Sequence, residues 1–109
     1  MLEALLDSPV KEKLLLSVLS KKEVYARDIA HLFGLHLLSV QNQLKKLERG
    51  GVLVSRTRGR TKLYSFNPRY TFISELTGLL DRVMYFIPQN EKQKYYEIRQ
   101  RPRRSGKPL

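Results

Sequence analysis

At Gly50-Gly51 the apolar repeat of this chain changes its period, and that change restricts the folds open to it. Before the glycines, Leu37, Val40, Leu44 and Leu47 stand at i, i+3, i+7 and i+10, one face of a helix running to Arg49. After them, Val52-Leu53-Val54-Ser55 and Leu63-Tyr64-Ser65-Phe66 have the β-branched and aromatic content of strands. Between the strands, Arg56 to Lys62 carries one glycine, Gly59, near its centre to make the turn. The pattern predicts a β-hairpin with a strongly basic tip, broken by Asn67-Pro68. The expected class is mostly α with this one small hairpin.

Helix signals flank the switch on both sides. Ser8-Pro9 pairs an N-cap serine with a proline at the first helical position, where its missing N–H costs nothing. Val10, Leu14, Leu15, Val18 and Leu19 recur at helical spacing as far as about Ser20, with Lys11, Glu12 and Lys13 expected in water. Lys21-Lys22-Glu23 reads as a connector, and Val24-Tyr25 is too short for more than a sliver of strand. A short helix over Ala26 to Phe33 stops at Gly34, and a long one is expected from about Tyr70 to Ile87, ending at Pro88. The predicted domain spans 1–88. Residues 89–109 are predicted to form a basic tail, in which Tyr95, Tyr96 and Ile98 are the sizeable apolar groups. Its end, RPRRSGKPL, is expected to be disordered in isolation.

A chain of 109 residues, 41% of them hydrophobic, suffices for one domain, and burial in an oligomer would supplement its thin core. Its net charge of +11 is unevenly placed: zero over 1–44, +7 over 45–69, −1 over 70–90 and +5 over 91–109. Two basic blocks around a neutral stretch point to a polyanion, with double-stranded DNA the leading partner. The absence of cysteine excludes disulfides, thiolate metal sites and cysteine nucleophiles. No apolar run approaches the ~18 residues of a membrane span, and the acidic start does not resemble a secretory signal. A cytoplasmic protein without a membrane partner is expected.

With Leu37, Val40, Leu44 and Leu47 inward, the third helix turns Leu38, Ser39, Gln41, Asn42, Lys45, Lys46 and Arg49 outward. Gln and Asn match adenine edges bidentately, Ser contacts several bases, and the three cations suit phosphates. The hairpin adds Arg56, Arg58, Arg60 and Lys62, long side chains able to reach phosphates or a minor groove. Catalytic readings find no support. Gly106-Lys107-Pro108 lacks the Ser/Thr and upstream glycine of a phosphate-binding loop, Gly59 to Lys62 is a turn, and no acid is placed to orient His36 near Ser39. No enzyme activity, catalytic residue or cofactor is predicted.

Helix, glycine turn, helix and two-stranded basic arm together resemble the winged helix-turn-helix DNA-binding domain. More narrowly, Gly34 to Pro68 is similar to the core of the ArsR-like transcriptional regulators. Their "LxxLExxGLV" helix end and "YxLNP" exit have counterparts in Leu44 to Val54 and Tyr64 to Pro68. The resemblance implies a homodimeric regulator with helix 37–49 in the major groove and wing 56–62 on the flanking backbone. It also implies dimerisation through the last long helix. There Phe72, Leu76, Leu79, Val83 and Phe86 follow 4-3-4-3 spacing beside Ile73, Leu80, Met84 and Ile87, a face wider than one domain needs. The predicted dimer residues are Phe72, Leu76, Leu79, Leu80, Val83, Met84 and Ile87. Metal-sensing members carry Cys, His and Asp ligands; here His31 and His36 are the only histidines, and Glu75 and Asp81 do not share a face, so no metal site is expected. Two other readings remain open at this point: a protein-interaction adaptor, whose basic tail docks a protein partner, and a sequence-indifferent nucleic-acid binder.

Overall fold

Five consecutive residues of one helix, Leu14 to Val18, are all buried, so that helix has neighbours on every side. It is α2 (Pro9–Lys21) in a computed structural model that describes residues 1–97. The other elements are α1 (Glu3–Leu6), α3 (Ala26–Phe33), α4 (Leu37–Arg49), β1 (Leu53–Arg58), β2 (Thr61–Phe66), α5 (Ile73–Phe86) and α6 (Gln89–Tyr95). Ser8 caps α2 as its sequence predicts, its hydroxyl accepting from the Lys11 N–H at 3.0 Å. Around α2 gather Ile29 and Ala30 of α3, Val40, Leu44 and Leu47 of α4, Leu53 and Tyr64 of the hairpin, and Leu80 and Val83 of α5. The described residues are mostly helical, with one antiparallel hairpin.

Two glycines aim α4. Gly34 (φ +65°) follows α3 as the left-handed residue of a Schellman turn: Leu35 N–H donates to Ala30 C=O at 2.8 Å and Gly34 N–H to His31 C=O at 3.4 Å. Gly51 (φ +83°) ends α4 in the same way, with Val52 N–H donating to Leu47 C=O at 2.9 Å and Gly51 N–H to Glu48 C=O at 3.0 Å. Each turn pairs carbonyls at the end of its helix with the N–H groups that follow, so the chain leaves α3 and α4 in a fixed direction and β1 starts directly off the end of α4. The Ser55 hydroxyl donates to the Glu48 carboxylate and strengthens that corner.

The hairpin is longer and its turn tighter than its composition suggests. Pairing runs from Leu53↔Phe66 to Arg58↔Thr61, which leaves Gly59-Arg60 as a two-residue turn and places Arg56, Arg58 and Lys62 on the strands. At its base, Asn67 Nδ2 donates to Gly51 C=O at 2.9 Å and Oδ1 accepts from Arg69 N–H at 3.0 Å. This is the structural work of the Asn-Pro exit. Val24 and Tyr64 exchange two backbone hydrogen bonds (3.0 and 2.9 Å), so the sliver of strand expected at Val24-Tyr25 is one bridge tying the α2–α3 connector to β2.

Several expectations need correction. Glu12 is buried rather than hydrated, because its carboxylate accepts the Leu2 N–H at 2.7 Å where α1, unforeseen from sequence, folds over α2. The last long helix starts at Ile73, since Tyr70 to Phe72 form a turn bonded back to Asn67. Leu80, Val83 and Ile87, assigned to a dimer face, are buried in this chain's own core, on the side of α5 that meets α2. Packing also continues past the expected boundary at 88. Gln89–Tyr95 is a helix, Tyr96 after it is buried, and Tyr95 stacks on Phe33 of α3 at 4.8 Å between ring centroids. The predicted tail bases Arg101, Arg103, Arg104 and Lys107 lie outside the described residues.

Candidate nucleic-acid interface

The outward face of α4 is a ridge. Leu38, Asn42, Lys45 and Arg49 fall at i, i+4, i+7 and i+11, opposite the buried Val40, Leu44 and Leu47. All four ridge residues are exposed. On one side of the ridge a cleft of about 400 Å³ separates α4 from the hairpin; its charged lining is Arg27, Lys45, Arg60 and Lys62, with Gln41 on its wall. On the other side a hollow of about 290 Å³ is lined by Ser39, Asn42, Gln43, Lys45, Lys46 and Arg49. Neither lining contains an acid. Low-dielectric walls bearing one sign of charge concentrate the field in such clefts and attract anions.

The fold thus gathers most of the residues singled out from sequence. Gln41 and Lys45 from α4 meet Arg60 and Lys62 from the wing in the cleft, whereas Ser39, Asn42, Lys46 and Arg49 line the hollow on the other side of the ridge. Two wing residues stand apart. Arg56 and Arg58 lie on the strand face opposite that of Lys62, because alternate residues of β1 point to opposite sides. Arg58 is exposed. Arg56 forks onto Glu23 of the α2–α3 connector, Nε at 2.8 Å from Oε2 and Nη2 at 3.0 Å from Oε1. The bond to Arg56 holds the Glu23 carboxyl below its ordinary range. Arg56 is therefore already neutralised, unlike the free phosphate contact expected of it.

No family model matches the sequence, and no curated protein does. Solved structures do match. A variant of ZitR from Lactococcus lactis aligns with a TM-score of 0.51 at 15% identity, over 79% of this chain and 66% of that one. The adhesin competence repressor AdcR from Streptococcus pyogenes aligns with a TM-score of 0.52 at 17% identity, over 84% of this chain and 80% of that one. The fold is a winged helix. Identities this low carry the architecture, not the narrower ArsR-like resemblance of Gly34 to Pro68.

Within the winged helix, α3 and α4 are the helix-turn-helix, α4 is its second helix, and β1–β2 is the wing. Sequence reasoning missed Arg27. It lies at the first turn of α3, where nothing in its spacing marks it, and only the packing of α3 on α4 brings it to the cleft. Among the described residues, no three His, Cys, Asp or Glu side chains come together as metal ligands, and no helix is long and apolar enough to cross a membrane.

The long helix α5 divides the residues expected of a dimer face. Phe72 (58% exposed), Leu79 (39%) and Phe86 (55%) stand seven apart on one outward stripe, whereas Leu76 and Met84 are half-buried at its edge. The Arg82 guanidinium lies over the Phe86 ring at 5.3 Å.

Proposed function

We propose that this chain is a sequence-specific, double-stranded-DNA-binding transcriptional regulator that acts as a homodimer. Helix α4 enters the major groove, with Leu38, Ser39, Gln41 and Asn42 at base edges and Lys45, Lys46 and Arg49 at phosphates. The wing residues Arg58, Arg60 and Lys62 follow the flanking backbone. The observation that carries the reading is the pair of acid-free basic hollows, lined also by the amides Gln41, Asn42 and Gln43, on both sides of an exposed ridge. An ordinary amphipathic helix mixes both signs on its solvent face. The shared fold with two proteins, one of them named a repressor, is consistent with it.

The dimer reading rests on the outward stripe of α5. Three large apolar groups in line are more than scattered surface exposure, and the stripe is self-complementary. A two-fold axis through Leu79 sets Phe72 opposite the partner's Phe86 and Glu75 beside the partner's Arg82, as an isologous contact requires. Titration of duplex DNA at several salt concentrations tests the function. Affinity is expected to fall with salt at a slope of roughly −0.9 per phosphate neutralised. Absence of binding, or binding indifferent to salt, overturns it.

A further inference from the structure

Leu38 is out of place by the rules that govern the rest of α4. It is 67% exposed, at the second position of the helix, on the ridge otherwise made of Asn42, Lys45 and Arg49. It lines neither hollow beside that ridge, and the charged side chains in both are basic. Among the described residues it is the only large apolar side chain of α4 left in water. The cations begin with Lys45, about 10 Å further along the helix axis. Along α4 itself, the end that carries Leu38 therefore bears no cation, and its neighbours there, Ser39 and Asn42, are hydrogen-bonding side chains.

We propose that Leu38 recognises the 5-methyl group of a thymine in the major groove. This rests on the DNA-binding reading above and assigns one part of its specificity. The major-groove edge of thymine is the one base edge of unmodified DNA that presents a methyl group, and an apolar side chain is its natural contact. Base edges are met by the N-terminal residues of a recognition helix, which is where Leu38 stands. The basic hollows alongside supply the complementary charge that holds a duplex against the ridge. The gain for Leu38 is the removal of its exposed side chain and of the thymine methyl from water at once.

Uracil-for-thymine replacement isolates that methyl group. Duplexes enriched by the protein from a random-sequence pool are resynthesised with each thymine in turn replaced by uracil. Wild-type protein is expected to lose about fourfold in affinity at one thymine of each half-site, the worth of one buried methyl. Leu38→Ala, which alters an exposed residue and should keep the native circular dichroism spectrum, is expected to bind thymine and uracil duplexes alike. Asn42→Ala is expected to bind more weakly overall and to keep the thymine-to-uracil ratio. No uracil effect at any position in the wild type overturns the proposal while leaving DNA binding intact; so does a uracil effect that persists in Leu38→Ala. Uracil serving as well as thymine is also the result expected if Leu38 wedges between base steps. Failure to enrich any duplex overturns both this proposal and the reading beneath it.

Discussion

Ser17 is fully buried in the middle of α2, and its Oγ has no hydrogen-bond partner among the described residues. A buried hydroxyl without a partner costs roughly 1–3 kcal/mol of desolvation, and serine is a weaker helix former than alanine. Ser17→Ala should therefore raise the unfolding free energy by about 1 kcal/mol, read as a higher midpoint in urea. Lys22 is strained in another way: it closes α2 at φ +75° and ψ −51°, a region seldom occupied by a side-chain-bearing residue. Lys22→Gly should stabilise by about 0.5–1 kcal/mol after the added entropy of the unfolded chain is deducted. A destabilised glycine variant would mean that the lysine side chain contributes more than its backbone costs. Arg56 offers a residue-level test of the interface. Because Glu23 already engages it, Arg56→Ala should change DNA affinity much less than Arg60→Ala. Glu23→Gln should strengthen binding and steepen the salt slope by up to about one unit, as one cation is released. Equal losses for Arg56→Ala and Arg60→Ala would show that DNA displaces the carboxylate.

At the scale of elements, the proposed function assigns base reading to the amides of α4 and anchoring to the wing. Gln41→Ala or Asn42→Ala should cost on the order of 1–3 kcal/mol on the preferred duplex and little on random DNA. Arg60→Ala and Lys62→Ala should weaken both about equally, since phosphates carry no sequence. Identical behaviour of the two groups would remove the distinction. Helix α5 makes a contrast of its own. Val83 is buried and Leu79 is at the surface, so Val83→Glu should unfold the chain, whereas Leu79→Glu should give a folded monomer with weakened operator binding. Glu75→Arg should weaken the dimer by about 1 kcal/mol over its two symmetric copies, and adding Arg82→Glu should restore it. Sedimentation at several concentrations reads both. A wild-type monomer at tens of micromolar would remove the basis for the dimer.

Across the whole molecule, the described residues are organised around α2, which touches α4, α5 and the hairpin and so couples the outward edge of α4 and the wing to the α5 face. The helix-turn-helix cannot be reoriented without repacking Leu14 to Val18. A core this closely filled transmits displacement rather than absorbing it. Helix α6 completes the core from the other side, with Tyr96 buried and Tyr95 on Phe33. Burial pushes the Tyr96 hydroxyl well above the ordinary tyrosine range, as expected of a ring sealed from water. Truncation after Pro88 should therefore destabilise the domain by about 2–4 kcal/mol, the scale of removing a large buried aromatic. Truncation after Gln100 should leave the melting midpoint unchanged. A stable protein ending at residue 88 would restore the domain boundary that composition alone suggests.

The order of elements from α2 to α5 was legible in the chain because local chemistry dictates it. Ser8-Pro9, Gly34, Gly50-Gly51 and Asn67-Pro68 act on backbone dihedrals and terminal hydrogen bonds within a few residues, whatever the rest of the molecule does. The outward residues of α4 were legible for a related reason, since a 3.6-residue period fixes which side chains oppose a buried stripe. What periodicity could not reveal was which apolar stripe of α5 meets α2 and which meets solvent. Both repeat every seven residues, and only packing against α2 buries Leu80, Val83 and Ile87 while leaving Phe72, Leu79 and Phe86 outside. Arg27, Glu23 and Glu12 acquired their roles in the same way, through partners distant in sequence. Tyr95 and Tyr96 looked like part of a polar tail because α6 is too short and too polar to announce an apolar face. Its place in the core depends on Phe33, some sixty residues earlier, a contact that exists only once the chain has folded.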